Sequence, residues 1–360
     1  MIIDIVKVFI PPILSFGIGI LSAPVLIDYL YKNKMWKKKS GKSAGLGGGG
    51  TPIFNELHKE KETGTPRMGG VLIWVSVFIT VLGGWCLTQF FPGNATLAKL
   101  DIISRNQTWI PLVTLMIGAI VGLFDDYMEV RGTGGYAAGG LSLIKRLSIV
   151  TIIALITGAW FYFKLEIHTI GLPASWGILD IGPFFIPFFV LVTLALYSGG
   201  VIDGLDGLAG GIFATMYSAY AGIAFYQQQI NLAAFCLVVV GGILAFLWYN
   251  IPPARFYMTE TGSMGLTITL AVVAFMTDSI GHGYGVIILP IIAMPLVVTS
   301  LSNIIQIISK KTRSGKKVFL VAPLHHHFEA IGWPAYKVTM RYWVLGVMFA
   351  ILGLVLGLLG

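Results

Sequence analysis

The chain has 360 residues, of which 56% are hydrophobic and only 11% charged, and its mean hydropathy is +0.83. A soluble domain carries roughly 25% charged residues, so this chain lacks the charge to cover a water-facing surface, and lipid is its main solvent. The net charge of +8 is not a nucleic-acid signature here, because the basic residues fall in blocks between apolar runs, as in the cytoplasmic loops of membrane proteins.

A helix needs about 20 apolar residues to cross a bilayer. Ten stretches qualify, centred on residues 8–30, 70–91, 108–124, 147–163, 184–199, 208–226, 231–249, 262–278, 284–308 and 342–359. The first follows a single lysine, Lys7, and precedes a basic cluster. It is too long for a cleaved signal peptide and reads as a retained span. The run Gly45–Gly50 has no strand before it and reads as a mobile loop rather than a phosphate cradle. Cys86 and Cys236, the only cysteines, lie in apolar runs and make no disulfide framework. Between the fourth and fifth spans, residues 164–182 turn around Gly171 and Pro173 and read as a short β-hairpin. Pro290 and Pro295 fall inside the ninth span, where each removes a helix hydrogen bond and predicts a kink.

With the N-terminus outside and the spans alternating, the inner loops are 32–69, 125–146, 200–207, 250–261 and 309–341. These hold 20 of the 24 Lys and Arg residues, and the other side holds Lys7, Lys99, Arg105 and Lys164. The pattern predicts an all-α integral membrane protein, a single polytopic domain over 1–360. It has ten transmembrane helices, both termini outside, a short extracytoplasmic β-hairpin and a kinked ninth helix. No internal repeat is visible, which argues against an inverted-repeat transporter.

Ionisable residues at membrane depth are costly and mark function. Asp125-Asp126-Tyr127 directly follows an apolar run, and two adjacent carboxylates need a cation or proton between them; an isolated pair can equally be a helix-end stop. Asp203-Gly-Leu-Asp206-Gly opens the sixth span, and its aspartates share one face if the turn is helical; N-capping accounts for one of them. Glu260 precedes Thr261-Gly262-Ser263 at the start of the eighth span, where capping is again the plain alternative. His325-His326-His327, half of the six histidines, lie in a basic loop. Consecutive histidines point apart on a helix, so they fit phosphate contacts better than a three-histidine metal site. The topology puts all four groups on the inner face. Carboxylates that hold a divalent metal beside Lys, Arg and His make the constellation of phosphoryl transfer.

Thr65-Pro66-Arg67-Met68-Gly69-Gly70, Asp125-Asp126-Tyr127, Asp203-Gly-Leu-Asp206-Gly-Leu, Thr261-Gly262-Ser263 and Pro323-Leu-His-His-His-Phe-Glu329 occur in that order. In these motifs the chain resembles the polyprenyl-phosphate N-acetylhexosamine-1-phosphate transferases over nearly its whole length. The histidine segment followed by Gly332-Trp333 is similar to the branch that acts on phospho-N-acetylmuramoyl-pentapeptide. The resemblance implies transfer of that group from UDP-MurNAc-pentapeptide to undecaprenyl phosphate at the bacterial cytoplasmic membrane, giving lipid I and UMP. It also implies Mg²⁺ and a homodimer. By motif match, Asp125 and Asp126 are the catalytic pair, with Asp125 the base, and Asp203 and His325 belong to the catalytic set. Asp206, Asn250, His326 and His327 bind substrate, and Glu260 holds the metal with Asp125 and Asp126.

Five positions depart from the family pattern. Glu260 replaces an aspartate, Glu62 and Glu129 replace lysines, Gly200 replaces an asparagine, and Arg67 replaces a neutral residue, which relocates positive charge. Two further readings therefore stand beside the first: a transferase of the same superfamily acting on UDP-GlcNAc, and a paralogue that binds these ligands without turnover. A channel fits less well, because the polar residues gather on one face instead of lining a path.

Overall fold

A computed structural model of the chain describes residues 2–38, 63–94, 97, 101–103, 107–133, 140–173, 177–281 and 283–359. Glu62 and the Gly45–Gly50 run lie outside the described residues.

The protein is mostly helical, in the order α1 (Ile2–Lys32), α2 (Val71–Phe90), α3 (Trp109–Arg131), α4 (Leu143–Ala159), β1 (Thr169–Gly171), β2 (Ile178–Asp180), α5 (Phe185–Gly199), α6 (Leu208–Tyr226), α7 (Ile230–Asn250), α8 (Thr259–Phe275), α9 (Leu289–Ile292), α10 (Met294–Thr312), α11 (Leu324–Ala330) and α12 (Ala335–Leu358). Among the described residues, nine helices are long and apolar enough to cross a membrane, so this is a multi-pass membrane protein. The segment 284–308 is not one of them. It divides at Ala293 into α9 and α10, each with a proline in its first turn.

Helix α8 is the centre of the bundle: every residue from Thr261 to Phe275 is buried, as a helix that is apolar all round requires. Its main neighbour is α3. Gly118 and Gly122 of α3 lie directly against the α8 backbone at Gly265, Glu260 and Thr261, with no room for a Cβ. Small residues let membrane helices approach this closely, and here the approach sets Asp125 and Asp126 beside the first turn of α8. Gly132, in the left-handed conformation at φ 65°, ends α3 just past them.

The strands pair antiparallel, Thr169 with Asp180 and Gly171 with Ile178, in the hairpin that the turn residues predict. Asp278, past the far end of α8, accepts hydrogen bonds from Gly171 N (2.9 Å) and Val286 N (3.0 Å) and so ties the hairpin to the bundle.

Helix α10 turns a polar face inward. Gln306 Oε1 accepts from Val318 N and Phe319 N, each at 3.0 Å, its Nε2 donates to Phe319 O, and Ser302 Oγ accepts from Leu324 N at 2.9 Å. Leu301, Ile304 and Ile308 are left exposed on the other face. These side-chain bonds hold the loop that carries the histidines.

Candidate active site

The segment Thr65–Gly70 is a strap laid across the start of α8. Its backbone is fixed by Arg67 N to Met35 O (2.8 Å), Gly69 N to Tyr257 O (2.8 Å) and Tyr257 N to Pro66 O (2.9 Å). The strap carries one guanidinium, that of Arg67, to the end of α3.

At that point α3 presents three carboxylates. Asp126 is fully buried, and its Oδ2 accepts hydrogen bonds from the hydroxyls of Thr259 and Thr261 (2.5 Å each) and from Thr261 N (2.8 Å). Its Oδ1 lies 3.5 Å from Arg67 Nη2, and the same nitrogen lies 2.8 Å from Glu129 Oε2. Lys37 Nζ reaches Glu129 Oε1 at 3.1 Å. Asp125, also fully buried, accepts from Leu141 N through Oδ1 (2.5 Å), and its Oδ2 meets Arg146 Nε at 3.1 Å. Arg146 then continues to Glu260, with Nη1 2.8 Å from Oε1, and Tyr197 donates its hydroxyl to Glu260 Oε2 at 3.4 Å.

Asp203 joins this cluster through the backbone of Thr259, whose N–H donates to its Oδ2 at 2.8 Å. Thr259 holds a left-handed φ of 56°, uncommon for a β-branched residue, which aims its N–H at Asp203 while its hydroxyl serves Asp126. Burial pushes the Asp203 carboxyl up to about 6, against the lowering effect of the Thr259 N–H and Arg67. Burial works against the Arg67 charge, but Glu129, Asp126 and Asp203 raise its pKa above the ordinary value.

The segment from Asp203 to Gly207 is a turn, not a helix, so its aspartates do not share a helical face. Neither caps α6, whose N-cap is Gly207. Asp206 accepts from Ala254 N at 3.2 Å, and Asn250 accepts from Gly207 N (2.9 Å) and donates to Phe256 O (2.8 Å). Thr339 and Trp343 of α12 donate to Asp206 O (3.1 Å) and Gly207 O (3.0 Å). Gly204 lies against the imidazoles of His325 and His326, where a Cβ would collide with both rings. His326 is paired with Glu329 at 2.7 Å. His327 turns away: its Nδ1 accepts from Leu320 N at 3.2 Å and its ring meets Phe319. Two of the three histidines thus face the aspartate turn, as their separation around a helix requires.

The structure therefore brings together Asp125, Asp126, Asp203 and Glu260, with His325 and His326 across the turn and Asp206 and Asn250 bracing it. Several partners had no motif to announce them: Lys37, Arg146, Tyr197, Thr259, Thr339 and Trp343. The one available signal was Arg146, a charge at the end of an apolar span.

The fit of a divalent cation rests on the carboxylates. Asp125, Asp126, Glu129, Asp203 and Glu260 outnumber Arg67, Arg146 and Lys37. Among the described residues no three metal-type side chains form a ready-made cage. Asp125 Oδ2 and Asp126 Oδ1 are nevertheless buried without a hydrogen-bond partner, each holding only its ion pair. Two hard carboxylate oxygens completed by substrate phosphates suit Mg²⁺. Glu260 differs, since both of its oxygens are engaged by Arg146 and Tyr197.

Comparison with known proteins follows the same residues. The family model described as Glycosyl transferase family 4 matches residues 108–278, which include Asp125, Asp126, Asp203, Asp206, Asn250 and Glu260 but stop short of the histidines. The chain is 33% identical over 348 residues, 95% of each chain, to the phospho-N-acetylmuramoyl-pentapeptide-transferase of Bacillus subtilis (strain 168). It is 31% identical over 342 residues, 94% of each chain, to that of Listeria innocua, and 33% identical over 349 residues, 95% of each chain, to that of Geobacillus sp. (strain WCH70).

Proposed function

Because the chain belongs to the phospho-N-acetylmuramoyl-pentapeptide-transferase family, we propose that it transfers phospho-MurNAc-pentapeptide from UDP-MurNAc-pentapeptide to undecaprenyl phosphate, forming lipid I and UMP for peptidoglycan synthesis. The observation that carries this reading is that Asp126 and Asp203 bond to the short segment Thr259–Thr261, while Arg146 joins Asp125 to Glu260 within it.

In this reading Asp125 takes the proton from the lipid phosphate. The freed oxygen attacks the sugar-linked β-phosphorus, the new P–O bond forms, and the bond to the α-phosphate oxygen breaks to release UMP. Arg146 and Leu141 N fix the direction of Asp125, and Thr259 and Thr261 fix Asp126. Such positioning accounts for much of the rate of phosphoryl transfer. Asp206 and Asn250 support the nucleotide side through the turn they brace, and His325 and His326, which face that turn, serve the phosphates, while His327 supports their loop through Leu320 N. Mg²⁺, when bound, would neutralise charge on the pyrophosphate; Asp125 and Asp126 would hold it, with Glu260 as the third carboxylate beside them.

The same proposal sets the site on the cytoplasmic face of the bacterial inner membrane, where the basic loops gather. The chain is then one domain with ten spans, the divided segment 284–308 being the kinked ninth, with both termini outside and two copies in a homodimer.

The test is UMP release by purified protein with undecaprenyl phosphate, offered UDP-MurNAc-pentapeptide or UDP-GlcNAc, with Mg²⁺ or with EDTA. Metal-dependent release from the first sugar nucleotide alone supports the proposal. Release from UDP-GlcNAc instead selects the sister activity, and binding without release selects an inactive paralogue.

A further inference from the structure

We infer that Arg67 is a ligand for a phosphoryl oxygen of the reacting substrates, an assignment that rests on the transferase reading above. Arg67 is not a loose surface cation: its side chain is 18% exposed, and the strap beneath it is fixed to Met35 and Tyr257 by backbone hydrogen bonds. Its ion pairs to Glu129 and Asp126 both run through one nitrogen, Nη2. Among the described residues, its Nε–H is a buried donor with no hydrogen-bond partner.

Neutralising Glu129 does not account for this arrangement, because Lys37 already meets the other Glu129 oxygen. Glu129 instead works as a bracket. Held between Lys37 and Arg67, it keeps the guanidinium beside Asp126. A guanidinium offers five N–H donors in a rigid fork and is suited to phosphate. A buried donor left over from that fork, next to the acidic pair, suits an anionic oxygen that arrives with substrate. The phosphate could come from the nucleotide or from the lipid, and the chemistry recognised is the same.

The test uses the full-length protein in detergent with Mg²⁺. Isothermal titration gives its preference for UDP over uridine, and UMP release gives the KM for undecaprenyl phosphate. Arg67→Lys keeps the charge but loses the Nε–H. The double variant Arg67→Gln/Glu129→Gln removes the closer ion pair whole, so that Glu129 is not stranded, while Asp126 keeps its bonds to Thr259 and Thr261. If the nucleotide supplies the oxygen, both variants lose about tenfold or more of the UDP preference. If the lipid supplies it, that preference stays and the KM for undecaprenyl phosphate rises by about as much. Thermal midpoints near the wild-type value separate either result from unfolding. Wild-type values of both quantities in the two variants overturn the assignment while leaving the transferase reading intact. A wild-type protein that binds UDP no better than uridine overturns that reading, and this assignment with it.

Discussion

Arg146 bridges Asp125 and Glu260, with Nε 3.1 Å from Asp125 Oδ2 and Nη1 2.8 Å from Glu260 Oε1. One guanidinium thus aligns two carboxylates from different helices. Removing it by Arg146→Met is expected to lower kcat by about 10²–10³-fold, the size of effect seen when a positioned electrostatic partner is lost. Arg146→Lys is expected to fall between the two, because an ammonium lacks the planar fork that engages both partners. Steady-state UMP release checks this, and a wild-type rate for Arg146→Met contradicts it.

Asp203 sets a pH dependence. Its carboxyl is raised from the ordinary 3.8 to about 6. The folded state therefore holds this proton more tightly than the unfolded state does. The contribution to stability is complete below the unfolded value and is lost as pH rises through about 6. Asp203→Asn is expected to melt above the wild type at pH 8, with the gap closing towards pH 4, while transferase activity falls. Thermal unfolding across that range checks the sign; a variant less stable than wild type at pH 8 contradicts it.

Asp278 stands at the opposite end of the central helix from Glu260, about 27 Å away at 1.5 Å per residue. Its two oxygens satisfy Gly171 N and Val286 N. Asp278→Leu strands both donors at about 1–3 kcal/mol each. The expected outcome is a lower melting midpoint with unchanged kcat per folded molecule; a loss of kcat at an unchanged midpoint contradicts it.

Gly200 ends α5 with φ −56°, and a Cβ there meets only the Ser263 side chain, at 3.7 Å. Gly200→Ala is expected to stabilise the protein by about 0.4–1 kcal/mol through the unfolded chain. Denaturant titration checks it, and destabilisation shows that the position is tighter than its geometry indicates.

The parts of this site legible in the sequence were those with local signatures. Asp125-Asp126 at the end of an apolar run, the aspartates before the sixth span and the histidine triplet all announce themselves by type and position. Tyr197 and Thr259 do not, and Arg146 shows only as a charge at the end of an apolar span, because their roles arise where α3, α4, α5 and α8 approach, and chain periodicity carries no record of which faces meet. The α3–α8 contact depends on Gly118 and Gly122, which in an apolar run look like any other small residues. In the segment 284–308 the two prolines announce the break, but composition does not show facing: Ser302 and Gln306 turn inward to hold the histidine loop, and Leu301, Ile304 and Ile308 lie outside. Glu129 and Arg67, each a departure when read alone, are partners 2.8 Å apart.

In the proposed reaction, Asp125 and Asp126 perform lipid-dependent phosphoryl transfer. The most direct measurement is UMP release with UDP-MurNAc-pentapeptide, undecaprenyl phosphate and Mg²⁺ by wild type, Asp125→Asn and Asp126→Asn, each verified as folded by its melting midpoint. Release by wild type is expected only when lipid is present, with a loss of at least about 10²-fold in both variants. Turnover near the wild-type rate in either variant contradicts it.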